Sequence, residues 1–188
     1  MPAPSATPRG DALLDAHWGK FASKRFDLTI ALPDGHAWRI DDHKTHWLVA
    51  SHPASSTVVR VRMWREPELM SRDRCERRAR DWTRDIPIIA DARLLERRSE
   101  PELPAPGYDT ELVSGIANAQ RQGELVEGFI LGFGASMKRC IAMVLTTSSN
   151  GPGASERVGD RLGIGMRLLE SISFRSDLDA ITREPLPR

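Results

Sequence analysis

Residues Arg139–Thr146 are apolar on both sides of an extended chain. Cys140, Ala142 and Val144 alternate with Ile141, Met143 and Leu145. A strand turns successive side chains to opposite faces. One with no polar face belongs inside a sheet that is covered above and below. The segment before it, Glu124–Gly134, divides its faces by size. Leu125, Phe129, Leu131 and Phe133, with Glu127 among them, form the large side. Val126, Gly128, Ile130, Gly132 and Gly134 form the small side, where another element should pack close to the backbone. After the break Asn150–Ser155, apolar residues Val158, Leu162, Met166 (or Gly165), Leu169 and Ile172 recur at helical spacing. The spacing predicts a helix over Ala154–Phe174 with a Ser155 cap. Gly159 and Gly163, one turn apart, predict that this helix lies tightly on the small face, since each glycine costs a helix up to about 1 kcal/mol.

The rest of the chain fits an α+β domain. Phe26–Leu32 alternates as a half-buried strand and ends in a Pro33-Asp34-Gly35 turn, in which glycine accepts the positive φ. Ala37–Asp41, Thr45–Ser51 and Thr57–Arg65 read as a meander. Pro67 begins a helix running to about Arg84, with Leu69, Arg72, Cys75 (or Glu76), Ala79 and Trp82 turned inward. Ala92–Arg98 and Thr110–Ala119 read as two further strands. The domain organisation is a disordered start over residues 1–24 with a short helix over Asp11–Lys24, one domain over 25–175, and a tail over 176–188.

Composition excludes more than it assigns. The net charge of +1 gives no global attraction to nucleic acid. The arginines and tryptophans of residues 60–84 are interleaved with acids, which favours a solvated helix face over a stacking surface for bases. No apolar run approaches the ~20 residues of a membrane span. Met1–Gly10 has no basic and apolar leader pattern, so the sequence reads as cytoplasmic and soluble, or as periplasmic or envelope-located if a signal has been removed. Cys75 and Cys140 read as two buried reduced thiols; the alternative is a helix-to-sheet disulfide, which implies an oxidising compartment.

No motif carries catalysis, a cofactor or a metal. Asn150–Ser155 lacks the Lys-Ser/Thr ending of a phosphate loop. His36, His43, His46 and His52 cluster with Asp41 and Asp42, but across a turn rather than on one helix face. Trp38, Trp47 and Trp64 fall on neighbouring strands and could converge, as core or as an interface.

The order of elements carries a resemblance. Phe26-x-Leu28-x-Ile30-x-Leu32-Pro33 leads to Gly35-x-x-Trp38, and the chain closes on Leu169-Glu170-Ser171-Ile172-Ser173-Phe174. Over Phe26–Phe174 this resembles the PsbP-like superfamily, which includes the DcrB-like bacterial proteins. The resemblance implies an antiparallel sheet between helices, and a non-enzymatic accessory or binding role through a protein partner. The candidate partner-binding residues are Trp47, Arg60, Arg62 and Trp64, on the exposed side of the meander. Two other readings stand beside it: a hydrolase or transferase using His46, His52 and Asp41, and a lipid or small-ligand carrier with a cavity beneath the glycine-rich strand face. No oligomeric state follows from the sequence.

Overall fold

The structure, a computed structural model, describes residues 13–14, 16–89, 92–100, 103–105, 107–117 and 125–174. In chain order they form β1 (Trp18–Ser23), β2 (Leu28–Pro33), β3 (Arg39–Asp41), β4 (Leu48–His52), β5 (Thr57–Arg65), α1 (Arg72–Trp82), β6 (Ala92–Ser99), β7 (Asp109–Ala117), β8 (Val126–Ser136), β9 (Arg139–Ser149), α2 (Ala154–Glu170) and β10 (Ser173–Phe174). One antiparallel sheet has the order β3-β4-β5-β9-β8-β7-β6; a smaller one has the order β1-β2-β10. The architecture is α+β, with antiparallel sheets and two α-helices among the described residues.

The strand that is apolar on both sides, β9, is the fourth of seven in its sheet. Ile141 and Val144 are both fully buried. Ile141, Met143 and Leu145 share a cluster with Val158, Leu162, Leu168 and Leu169 of α2. Ala142 and Val144 share another with Phe129, Leu131, Phe133 and Ala79 of α1. Strand alternation thus sorts β9 into two apolar sets, each served by a different helix.

The glycines of β8 make room for specific neighbours. A Cβ on Gly128 would stand 2.5 Å from Val158 Cγ1 and 3.2 Å from Leu162 Cδ1. On Gly132 it would meet Leu112 and Met143, and on Gly134 Thr110 and Ile141. The helix glycine that matters is Gly165, whose Cβ would lie 2.6 Å from Leu145 Cδ1. The expected close approach is real, but Gly159 and Gly163 do not make it; both face open space.

Several boundaries move. Residues 18–23 are a strand, not part of a helix over Asp11–Lys24. β1 pairs with β2 from Trp18↔Pro33 to Ser23↔Leu28, so its apolar groups serve a pleated sheet and the domain begins before residue 25. Residues 1–12 and the tail from Arg175 lie outside the described residues. Asp34, not Gly35, takes the positive φ of 52°. Gly35 is needed for closeness instead: its Cβ would be 3.3 Å from Gly19 Cα.

α1 starts at Arg72 because Ser71 Oγ accepts from Arg74 N. The stretch before it bends at Pro67 and Glu68 and is tied to the β8–β9 turn by Glu66 N donating to Lys138 O and Met70 N to Met137 O. α2 opens on Gly153, at φ 72° and without a side-chain cap, so Ser155 does not cap it. It stops at Glu170, where Ser171 Oγ donates to Leu168 O and accepts from Ala31 N. The chain then pairs with β2 as β10.

Cys75 of α1 and Cys140 of β9 are joined in a disulfide, with Cα atoms 5.5 Å apart. The reading as two reduced thiols is therefore replaced by the bridged alternative. The thinness of α1 gives the physical reason: its buried residues are Cys75 and Ala79 alone. Two small side chains bury too little apolar surface to fix a helix, and a covalent tie supplies the deficit.

Two predictions follow from these contacts. Gly128→Ala lowers stability by about 1–3 kcal/mol through overpacking, whereas Gly163→Ala raises it by up to about 1 kcal/mol. Urea denaturation of the two variants checks this, and equal effects would contradict it. Replacing both cysteines by alanine lowers stability by about 2–4 kcal/mol. Thiol titration of the denatured, unreduced protein should find no free thiol, and two free thiols would remove the bridge.

Candidate protein-binding surface

Side chains of β5 alternate, so Val58, Arg60, Arg62 and Trp64 share one face. Val59 and Val61 point the other way, into the cluster with α2. Trp64 packs instead on the cluster that contains Ala79 of α1. The Arg62 guanidinium stacks 3.5 Å from the centre of the Trp82 ring, and 5.9 Å from that of Trp64. The two indoles meet edge to face at 4.8 Å, a favoured geometry for aromatic pairs.

Neighbouring charges are neutralised. Trp64 Nε1 donates to Glu66 Oε1, which also accepts from Arg78 Nε, both at 3.1 Å. Arg78 is raised above its ordinary pKa by that hydrogen bond and by the Glu66 charge. Arg60 is paired with Asp85 at 3.1 Å. Arg62 differs. Among the described residues it has ring contacts but no hydrogen bond or ion pair. Partial burial lowers its pKa, with no carboxylate to oppose the shift.

Beyond Arg60 the same face of the sheet falls into a groove of about 570 Å³. Val58, Arg60, Asp85, Ile88, Phe129 and Thr146 are among its lining residues. Phe129 is buried in its floor, while Ile88 stands on the lip at 67% exposure. The volume falls within the range of pockets that bind small ligands and side chains.

The four residues singled out from the sequence are therefore brought to one side of the sheet, but not all to its surface. Extending the register Leu48↔Val61 by one residue sets Trp47 opposite Arg62. Trp47 is nonetheless only 7% exposed and belongs to the core. Trp82, 38% exposed, takes the outer aromatic position. Its place at the end of the inward stripe of α1 was the available signal. Trp47 and Trp64 meet at one cluster, but Trp38 does not join them: it lies in the cluster on the α2 side, tilted against the His52 ring with centroids 5.3 Å apart.

The residues named for hydrolysis are not assembled. Asp41 Oδ1 accepts from the backbone N–H of His43 and Lys44, at 3.0 and 2.9 Å. Those bonds hold its pKa below the usual carboxylate value. His46 is exposed, and His52 is fully buried. His52 does sit between Ser55 and Asp34: Nδ1 is 2.8 Å from Ser55 Oγ, and Nε2 is 3.5 Å from Asp34 Oδ2. The second distance is too long for a hydrogen bond. Ser55 Oγ donates to Thr57 Oγ1, and the residue is 1% exposed. A serine so placed ties a turn and meets no substrate. Among the described residues, the space directly beside Gly128, Gly132 and Gly134 is taken by the side chains named above, which weighs against a carrier cavity there. Among the described residues no three His, Cys, Asp or Glu side chains are grouped to hold a metal.

No family model matches the sequence, and no curated protein matches it. Solved structures do resemble the fold. The Saccharomyces cerevisiae Ran-binding protein Mog1p has a TM-score of 0.52 at 8% identity, with 84% of this chain and 95% of Mog1p covered. PsbP (CyanoP) of the cyanobacterium Synechocystis has a TM-score of 0.52 at 12% identity, over 92% of this chain and 99% of that one. A Bacteroides thetaiotaomicron protein has a TM-score of 0.44 at 11% identity; the match covers 83% of this chain and 48% of that protein's length. The fold is PsbP-like, as the entry strand and closing helix suggested.

Asp41 provides a pH test of its structural role. Its lowered folded pKa stabilises the β3–β4 turn above the ordinary value of 3.8, and that contribution is lost as pH falls through the folded value. Asp41→Asn should therefore destabilise the protein at neutral pH and have little effect in strong acid, as followed by thermal melts across pH.

Proposed function

We propose that this is a non-enzymatic accessory protein that acts by binding a protein partner through the outer row of β5. Arg60, Arg62 and Trp64 carry that surface, with Trp82 in the place first given to Trp47. The observation that carries the reading is Arg62: a half-buried guanidinium, stacked on indole, with no acid of its own among the described residues. Arginine and tryptophan are the residues most enriched at binding hot spots. Mog1p, a protein of similar fold, is described as Ran-binding, which supports a partner-binding use of this architecture by analogy. The scattered positions of Asp41, His46 and His52 weigh against the hydrolase reading.

The architecture behind this proposal is a three-layer domain with the large sheet between the two helices. Its support is the division of β9 between two helix clusters. The domain runs from β1 to β10. No helix among the described residues is long and apolar enough to cross a membrane. The disulfide favours an oxidising compartment over the cytoplasm first read from the sequence.

Affinity capture with wild-type and Arg62→Glu protein tests the reading. The variant should melt within a degree or two of wild type and lose a protein that the wild type retains. Against that purified partner, Arg62→Ala should cost about 2 kcal/mol, roughly thirtyfold in affinity. Identical capture by both proteins would overturn the assignment.

A further inference from the structure

We infer that the partner is engaged through an extended segment that bears a carboxylate and a large apolar side chain four residues apart. The carboxylate meets Arg62, and the apolar side chain enters the groove beside Ile88. The inference rests on the reading of the protein as a partner-binding module, and it names the partner's chemistry.

Arg62 supplies the charge selection. A guanidinium stacked on an indole leaves its in-plane N–H groups available at the ring edge, where a carboxylate is received by two parallel bonds. Trp82 and Trp64 already hold the side chain, so less rotamer freedom is lost on binding. Burial has removed part of its water, which strengthens attraction to an incoming anion. Glu66 is not available to quench it, because that acid is engaged by Trp64 and Arg78.

The groove supplies the apolar selection. Val58 and Phe129 line it, and Ile88 is an exposed aliphatic group at its mouth. Its charges offset one another. Arg60 is paired with Asp85, and Arg84 and Glu127 add one charge of each sign to the lining. A neutral recess with an aliphatic lip selects by shape, whereas Arg62 selects by charge.

Spacing decides the form of the segment. Val58 and Arg62 lie on one face of one strand, four residues apart, about 13 Å at the rise of a β-strand. An extended chain running along β5 presents side chains i and i+4 to the same side over that length. A helix rises only about 6 Å over four residues. It would bridge the two sites only with its contacts about nine residues apart.

Selection of a random-peptide phage library on the full-length oxidised protein tests this directly. The enriched sequences should share Asp or Glu with Leu, Ile, Val, Met or Phe four residues away. A synthetic peptide of that consensus should bind at least tenfold more weakly to Arg62→Lys, and at least tenfold more weakly when its acid is changed to Gln. Combining Arg62→Ala with the Gln peptide should add little to either change alone. Val58→Asp should abolish the apolar preference and keep the acidic one. Enrichment without an acid, a helical spacing, no enrichment at all, or full binding to Arg62→Lys would each overturn the inference. Its failure is separable from that of the broader reading. A captured protein that depends on Arg62 but is not competed by the consensus peptide sinks the inference alone. Capture that is indifferent to Arg62 sinks the broader reading as well.

Discussion

The separation between α2 and the sheet is the constraint from which the rest of the fold follows. Val158 and Leu162 occupy the space above Gly128, and Leu145 and Ile130 occupy the space beside Gly165. Each glycine is matched by a large neighbour on the opposing element. Interiors are packed to the density of organic crystals, so these pairs act as a key for register. Sliding α2 by one residue would drive a branched side chain into backbone. The large face of β8 and the other face of β9 form a second cluster, which Ala79 of α1 joins. Phe129, Leu131 and Phe133 are too big and too apolar to stay wet.

The contribution of α1 to that cluster is thin, and its thinness shapes the candidate surface. α1 contributes Cys75 and Ala79 to the interior, while Leu69 just ahead of it stands exposed. The disulfide to Cys140 fixes the middle of the helix. Its two ends are held by polar contacts, Arg72 with Asp109 on one side and Arg80 with the Pro87 carbonyl on the other. A helix tied in this way lies against β8 and β9 and reaches little of β5. The outer row of β5 is left between core and solvent, with Arg62 stacked on the Trp82 indole and flanked by Trp64. A thicker apolar helix would have buried that row and removed the surface.

The interior of the large sheet was legible in the sequence because its residues allow one solution. A strand such as Arg139–Thr146 has no wet side to offer, and a glycine-dotted neighbour has to admit something. Which glycines would be used was not legible. Gly159 and Gly163 stand one helical turn apart, as Gly128 and Gly132 stand two strand pairs apart. Only the azimuth of α2, set by Leu145 and Ile130, decides between them and Gly165. The start of the chain misled for a related reason: Leu13, Leu14, Trp18 and Phe21 satisfy helical spacing locally, and the pull of the β2 edge is not encoded there. Among the candidate residues, Arg60, Arg62 and Trp64 could be placed on one face from the sequence because strand alternation is rigid. Trp47 was misplaced and Trp82 undervalued because their exposure depends on how far α1 extends over β5.

The buried polar network at the end of the sheet bears on how the groove can work. Arg161 of α2 donates to Ser55 O at 2.7 Å and to Ser148 O at 2.8 Å. Thr57 and Thr147 bond across β5 and β9 at 3.0 Å, and Ser55 joins Thr57 to His52. These groups are nearly water-free, so each bond carries the cost of desolvation and would be expensive to break. Ser56, Thr147 and Ser148, which belong to or adjoin this network, also line the groove. Its base is thus tied to α2 through the sheet, and holds its shape before anything binds. A preformed recess beside a pre-stacked arginine asks little ordering of the protein. In the proposed complex the entropy lost on association would fall mainly on the partner segment, and a short extended chain is the form that such a groove could hold without remodelling itself.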